Sequence, residues 1–318
     1  MTLTELKYIV AVARERHFGR AAEACFVSQP TLSVAVKKLE EELDLKLFER
    51  SANDVTITPL GEEIVRQAQS VLEQAANIKE IAKRGKDPLA GALRLGVIYT
   101  IAPYLLPDLV RQVIARTPQM PLMLQENFTV KRLELLRTGE IDCAILAEPF
   151  PDAGLALAPL YDEPFYAVVP VTHALAMHDS VTTEALKQET MLLLGSGHCF
   201  RDHVLEVCPE FARFSSNAEG IRKSFEGSSL ETIKHMVAAG MGVTLVPRLS
   251  VPKEALADKP RRKRDEEPYV KYLPFAGDPP TRRVVLAWRR SFTRYEAIAA
   301  LRNAVYACRL EGVQRLTG

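Results

Sequence analysis

Apolar positions in the first 60 residues fall at helical spacing. Leu6, Ile9, Val10 and Ala13 recur three and four apart and predict an amphipathic helix over 4–16. Residues 18–25 read as a second short helix with an alanine-rich face. The pattern then breaks at Val27-Ser28-Gln29-Pro30-Thr31, where Ser28 can cap and Pro30 suits a first turn. A third helix follows over 29–43, with Leu32, Val36, Leu39 and Leu43 as its buried stripe and Ala35 at the flank. Residues 47–50 and 55–57 read as two short strands about a polar turn at 51–54. A short helix, a tight turn, a helix with a polar outer face and a strand pair make a winged helix-turn-helix candidate. Ser33, Val34, Lys37, Lys38 and Glu41 face away from the buried stripe. Ser33 and the lysines can meet base edges or phosphates, and Val34 a thymine methyl. An ordinary three-helix domain with a solvated face fits the same pattern.

From Thr58 the spacing changes. Thr58 can cap, Pro59 suits a first turn, and Glu62 and Glu63 suit the positive end of a helix. Ile64, Ala68, Val71, Ala75, Ile78 and Ala82 alternate four and three apart, the seam of a coiled coil. This predicts a long dimerising helix that ends in a hinge over 83–88; packing against the chain's own next domain is the alternative. Beyond residue 90, apolar runs at 93–99, 122–125, 143–147, 166–170, 192–195, 243–247 and 284–288 read as strands. Helical stretches at 103–116, 130–138, 230–239 and 295–308 separate most of them, which predicts α/β units with parallel sheets in two lobes. The run Arg261-Arg262-Lys263-Arg264 reads as a solvated loop.

Composition narrows the class. The chain has 318 residues, 47% hydrophobic and 25% charged, which excludes a disordered, collagen-like or disulfide-rich miniprotein. Its length suits about two or three domains. No apolar run approaches the roughly 18–20 residues of a membrane span. Glu5, Lys7, Arg14, Glu15 and Arg16 in the first 18 residues argue against a signal peptide and predict a cytoplasmic protein. Lys and Arg total 41 against 40 Asp and Glu, a net of +1. Residues 1–58 hold 8 basic and 9 acidic side chains, a net of −1, so charge for DNA must come from local clustering or from a dimer.

Five cysteines stand at 25, 143, 199, 208 and 308, and a reducing compartment leaves them as thiols. Cys25, Cys143 and Cys308 fall in predicted helix or strand interiors and read as core thiols. No Cys-x-x-Cys or paired-His spacing occurs, so neither a metal nor another cofactor is expected. Gly195 and Gly197 loosen the chain before 198–207, which is helix-compatible, and Pro209 ends that run. Cys199 then lies at a helix N-terminus, where N–H groups, with His198 and Arg201 nearby, favour a thiolate. A thiolate can attack a peroxide, and Cys208 can resolve the resulting sulfenic acid as a disulfide. Nine helical residues span about 13.5 Å, whereas a disulfide needs Cα atoms roughly 4.4–6.8 Å apart. Bonding would therefore remodel the helix. Two unrelated free thiols packed as small hydrophobes fit the spacing as well.

The sequence resembles the LysR-type transcriptional regulators. The resemblance rests on Phe18-Gly19-Arg20-Ala21-Ala22-Glu23, Val27-Ser28-Gln29-Pro30-Thr31-Leu32-Ser33, Lys38-Leu39-Glu40-Glu41-Glu42-Leu43, Leu47-Phe48-Glu49-Arg50 and Ile57-Thr58-Pro59-Leu60-Gly61. Leu194-Gly195-Ser196-Gly197-His198-Cys199-Phe200-Arg201-Asp202, then Cys208, is similar to the hydrogen-peroxide-sensing OxyR branch. So are Ser228-Ser229-Leu230-Glu231-Thr232 and Gly242-Val243-Thr244-Leu245-Val246-Pro247, while 209–225 departs from the branch's pattern.

The resemblance implies an α plus α/β architecture. It places a winged helix-turn-helix at 1–58, a linker helix and hinge at 59–88, and a regulatory domain like a periplasmic binding protein. Lobe I of that domain is 89–164 with 269–318, and lobe II, with the redox cysteines, is 165–268. It implies a non-enzymatic regulator of oxidative-stress genes, a homotetramer built as a dimer of dimers. The expected partners are double-stranded DNA, hydrogen peroxide and, as a candidate, RNA polymerase, with no membrane. Carried over by position, Cys199 is the peroxidatic thiolate and Cys208 the resolving thiol. Thr100, Thr129, His198, Asp202 and Arg282 bind peroxide, with Arg283 as the rival of Arg282. The DNA-binding set is Ser28, Gln29, Pro30, Thr31, Ser33, Val34, Lys37, Lys38 and Arg50. A regulator binding a small metabolite between the lobes is the alternative within the family. A thiol peroxidase is disfavoured by the helix-turn-helix, and a solute-binding protein by the N-terminus.

Overall fold

The computed structural model describes residues 1–50, 55–84, 87, 89–209, 229–256 and 269–316. The turn at 51–54, Ser228, most of 209–225 and the basic run at 261–264 lie outside the described residues, as do hinge positions 85, 86 and 88. The side chains of Arg50 and Ala82 lie outside them too. The chain divides into two compact units. One comprises 1–90 with 137–140 and 290–295, and the other 91–136, 141–289 and 296–318.

In the first unit α1 (Leu3–Glu15), α2 (Phe18–Ala24) and α3 (Gln29–Leu43) pack about Ile9, Val12, Leu32, Val36 and Leu39. Each start is capped as its sequence dictates. The Thr2 side chain accepts from Glu5 N while Glu5 reaches back, and Ser28 Oγ accepts from Thr31 N. β1 (Phe48–Arg50) and β2 (Val55–Ile57) pair antiparallel as the wing. Buried Glu40 ties α3 to that wing, since its Oε1 accepts from Leu47 N at 2.8 Å and Phe48 N at 3.2 Å. Next comes α4 (Pro59–Arg84), opened by Thr58 Oγ1, which accepts from Gly61 N at 3.0 Å. Gly61 backs so closely onto the Leu47 carbonyl that no Cβ fits there. On the predicted seam Ala68 is buried and Ile64 half-buried, while Val71 and Ile78 stand exposed.

The second unit is built on two sheets that share one strand. Its elements in order begin with β3 (Leu93–Ile98), α5 (Ala102–Arg116), β4 (Leu122–Asn127), α6 (Thr129–Arg137), β5 (Cys143–Ala147) and β6 (Leu155–Pro170). A four-residue helix, α7 (Thr183–Leu186), leads to α8 (Cys199–Val207) and α9 (Leu230–Ala238). β7 (Thr244–Pro247), β8 (Val270–Pro274), β9 (Thr281–Arg289), α10 (Tyr295–Ala307) and β10 (Gln314–Arg315) complete it. The first sheet runs β10-β6-β9-β5-β3-β4. The far end of β6 leaves it and pairs with β7 and β8.

Three expectations are corrected here. The sheets are mixed: β3 pairs parallel with β4 and β5, but β5–β9, β6–β9, β6–β7 and β6–β8 are antiparallel, because β6 and β9 carry the chain across and back. β6 starts eleven residues before the predicted 166 (166 − 155 = 11), and its first half reads poorly because Pro159, Asp162, Glu163 and Pro164 interrupt the apolar run. Residues 192–195 form no strand; the segment makes isolated bridges at Met191, to Val243, and at Leu194, and then leaves through two glycines. β8 pairs in the second sheet, where Leu273 joins the core of Val168, Leu245 and Phe200. Cys143 and Cys308 are buried as expected, whereas Cys25 is half-buried at the end of α2.

Candidate functional site

The start of α8 is set by Gly197. Its φ of +98° turns the chain so that His198 becomes the N-cap and Cys199 the first helical residue. Cys199 is half-buried. It lines a narrow crevice with Ile98, Tyr99 and Thr100 after β3, Asn127, Phe128 and Thr129 at the start of α6, and Gly197 and His198. Buried His198 is held edge-on to Phe128 with ring centroids 4.7 Å apart, and Tyr99 lies 5.9 Å from it.

Behind the crevice stands a buried ion pair. Glu163 and Arg282 are cross-strand partners in the β6–β9 register, where β6 leaves the first sheet for the second. Arg282 Nε donates to Glu163 Oε2 at 2.9 Å, and Leu249 N donates to Glu163 Oε1 at 2.8 Å. The rest of the guanidinium fork holds Thr100: Nη1 donates to Oγ1 at 2.8 Å and Nη2 to the carbonyl at 3.0 Å. The guanidinium also lies over the Phe200 ring, 5.3 Å from its centroid. Arg283, its neighbour in β9, points to the outside and pairs with Asp162 at 2.9 Å. Of the two arginines, Arg282 is the one that reaches the crevice residue Thr100.

Thr129 Oγ1 is buried and makes no formed hydrogen bond. It lies near enough to the Cys199 sulfur that its hydroxyl favours the charged thiolate. The thiol itself departs from expectation. Burial pushes it above its ordinary value, an effect that outweighs the Thr129 hydroxyl, the Arg282 charge and the Cys199 backbone N–H, all acting downward. Asp202 adds a smaller upward push. Asp202 is exposed on α8 and is not among the crevice residues, contrary to its expected place in the pocket.

The structure thus brings Thr100, Thr129, His198 and Cys199 together, with Arg282 behind Thr100. Cys208 caps the other end of α8 and is fully buried in the apolar core of the second sheet. Sequence reasoning missed Glu163, Phe128, Tyr99 and His203. A carboxylate within an apolar strand was the available signal for Glu163, but that half of β6 was not read as a strand.

On the first unit, Ser28, Gln29, Pro30, Thr31, Val34, Lys37 and Lys38 are exposed, while Ser33 is half-buried. The Ser28 and Thr31 hydroxyls engage each other at 2.8 Å. Lys37 lies 3.6 Å from Glu41, and Lys38 lies 3.6 Å from Glu5. No group of His, Cys, Asp and Glu among the described residues is arranged to hold a metal, and no described helix is long and apolar enough to cross a membrane.

Two family models match: "Bacterial regulatory helix-turn-helix protein, lysR family" over 3–62 and "LysR substrate binding domain" over 86–307. The "DNA-binding transcriptional dual regulator OxyR" of Escherichia coli K12 is 38% identical over 94% of this chain and 94% of its own. Full-length OxyR from Pseudomonas aeruginosa, with a cysteine replaced by aspartate, matches with a TM-score of 0.72 at 49% identity, over 97% of this chain and 98% of that one. A cysteine-to-serine OxyR mutant from Corynebacterium glutamicum, described as H2O2-bound, matches with a TM-score of 0.62 at 34% identity, over 96% and 91%.

Proposed function

The chain belongs to the LysR family of bacterial transcriptional regulators, in its OxyR branch, and from that premise we propose that it controls oxidative-stress genes by oxidation of Cys199 and its bonding to Cys208. The observation that carries this reading is the crevice itself: a half-buried thiol at a helix start, facing a buried threonine hydroxyl that has no other partner. An unpaired buried hydroxyl costs about 1–3 kcal/mol, which a bound peroxide oxygen would recover. Thr100, whose oxygen already accepts from Arg282, keeps its hydroxyl proton for a second peroxide oxygen. His198 closes the side of the crevice. Asp202 acts only at a distance, through its charge.

The Cys199 thiolate attacks one peroxide oxygen, the O–O bond breaks, and hydroxide leaves and takes a proton to become water. Cys199 is then a sulfenic acid. The Cys208 thiol attacks its sulfur, the S–O bond breaks, and a second water leaves with the disulfide. Thr129 and Arg282 favour the Cys199 thiolate against the upward push of burial, and peroxide sits between Thr129 and Thr100. Nine helical residues hold the cysteines about 13.5 Å apart, beyond the reach of a disulfide. Bond formation therefore unwinds α8 and draws Cys208 from its core, which turns one chemical event into a change of shape.

The DNA-binding reading assigns contacts to Ser28, Gln29, Pro30, Thr31, Ser33, Val34, Lys37, Lys38 and Arg50. It extends to a cytoplasmic homotetramer that works with RNA polymerase, and the exposed Val71 and Ile78 on α4 support its dimeric unit. Thiol mapping after one equivalent of hydrogen peroxide, with DNA footprinting in parallel, tests the whole. The expected result is rapid loss of the Cys199 thiol, a Cys199–Cys208 linkage and an altered footprint. Inert thiols with an unchanged footprint would leave a metabolite-responsive regulator.

A further inference from the structure

Phe26 is the most exposed large apolar side chain among the described residues, at 95% of its full area. It sits between α2 and α3, two residues before the Ser28 cap. Its φ is +57°, in the left-handed region where a helix end usually places glycine. Phe26 N donates to the Glu23 carbonyl and Val27 N to the Ala22 carbonyl, both at 3.0 Å, so this residue turns the chain out of α2. A bulky side chain is the wrong choice for that backbone. It is also the wrong choice for water contact. The fold gains nothing from the ring on either count.

The same face is short of positive charge. Residues 1–58 carry 8 basic against 9 acidic side chains. Both outward lysines of α3 already face carboxylates, Lys37 at 3.6 Å from Glu41 and Lys38 at 3.6 Å from Glu5. Affinity for DNA must then draw on something besides counterion release. DNA offers apolar groups in thymine methyls and deoxyribose carbons. We infer that Phe26 is a DNA-contacting residue, laying its ring on such groups beside the start of α3. Val34, on α3, is also exposed, at 68%. This rests on the DNA-binding reading above.

The test uses the full chain and a duplex selected by the wild-type protein from a random-sequence pool. Failure to select any duplex sinks the DNA-binding reading itself and this inference with it. Given a duplex, Phe26→Gly suits the backbone and removes the ring. Affinity should fall about tenfold, the cost of one lost base-pair contact. The dependence of log affinity on log salt should keep its slope, because no phosphate contact is lost, and the thermal midpoint should not drop. Phe26→Leu should retain most of the affinity. Replacing thymine by uracil in the duplex separates the two partners: a Phe26→Gly penalty that vanishes there assigns the methyl, and one that persists assigns the sugar. An affinity within twofold of wild type, a shifted salt slope, or a lowered thermal midpoint would each overturn the inference.

Discussion

Cys199 opens α8 and Cys208 closes it, and their surroundings are opposites. Cys199 faces a crevice with two threonine hydroxyls, a histidine and a nearby guanidinium. Cys208 lies wholly within an apolar core that includes Phe165, Phe200 and Val204. The sequence already sets them apart, with Cys199 at a helix start as the attacking thiolate and Cys208 as the thiol that resolves. The structure adds the reason: polar groups beside Cys199 can steady a peroxide or a thiolate, whereas Cys208 has to abandon its packing before it can react. The first step is set by local electrostatics and the second by the cost of rearranging α8.

Exchanging each thiol in turn breaks the comparison most sharply. Cys199→Ser should abolish both peroxide-driven thiol loss and the footprint change, with DNA binding by the reduced protein intact. Cys208→Ser should leave the rate of Cys199 oxidation near wild type, and the product should persist as a sulfenic acid that a dione probe traps. A Cys208→Ser protein whose first oxidation is as impaired as that of Cys199→Ser would mean the two sites are not independent.

The next largest effect is expected behind the crevice. Arg282→Ala leaves Glu163 as a fully buried, unpaired carboxylate beside the helix that carries Cys199. Breaking such a pair costs about 3–5 kcal/mol. Urea unfolding of the reduced protein measures it, and a loss below about 1 kcal/mol would show that Glu163 finds another partner or takes up a proton. Thr100 loses both guanidinium contacts in the same variant, so peroxide reactivity should fall with stability.

Thr129→Val separates reactivity from stability. The hydroxyl makes no formed hydrogen bond in the resting protein, so its removal should leave the unfolding midpoint unchanged or slightly higher. A hydrogen bond to a charged group is worth about 1.5–3 kcal/mol, which is a tenfold or greater loss in the rate of Cys199 oxidation. Stopped-flow measurement of thiol loss decides it; an unchanged rate would remove Thr129 from the peroxide site.

What was legible in the sequence follows the range of the interactions. The three helices and the wing were legible because each is specified locally, by Ser28 and Thr58 as caps and by the stripe of Leu32, Val36 and Leu39. Cys199 was legible because Gly197 and a helix-forming run bracket it. The first half of β6 was not, because its period is hidden by Pro159 and Pro164 and its strand character comes from pairing with β9, more than 100 residues away. Glu163 was lost with it, since nothing near it in sequence predicts Arg282 as its partner. The direction of the Cys199 shift was also misread. The helix start acts as expected, but burial depends on the tertiary fold, and it dominates.

The smallest effect sharpens the comparison from the middle of α8. His203 is buried, and its Nε2 donates to the Glu148 carbonyl at 2.6 Å. Nδ1 then carries the lone pair and has no partner. Burial holds the imidazole pKa below its usual value; the Glu148 carbonyl opposes this, Arg282 adds to it, and Glu206 and Asp202 oppose it more weakly. Because the folded value is lowered, the unfolded chain takes up a proton first as pH falls. The contribution of His203 to stability is complete above the unfolded value of about 6.5 and declines below it until the folded imidazole also titrates. One proton limits the slope to about 1.4 kcal/mol per pH unit. The lowered carboxylates titrate below this window, since Glu231 already lies under its ordinary 4.5. His203→Gln keeps a donor for the Glu148 carbonyl and removes the titration. Urea midpoints between pH 7.5 and 5 should therefore fall less in the variant than in wild type. Equal pH dependence in the two proteins would mean that His203 takes up its proton in the folded state as readily as in the unfolded chain. The contrast between the two ends of the helix would then rest on the thiols alone.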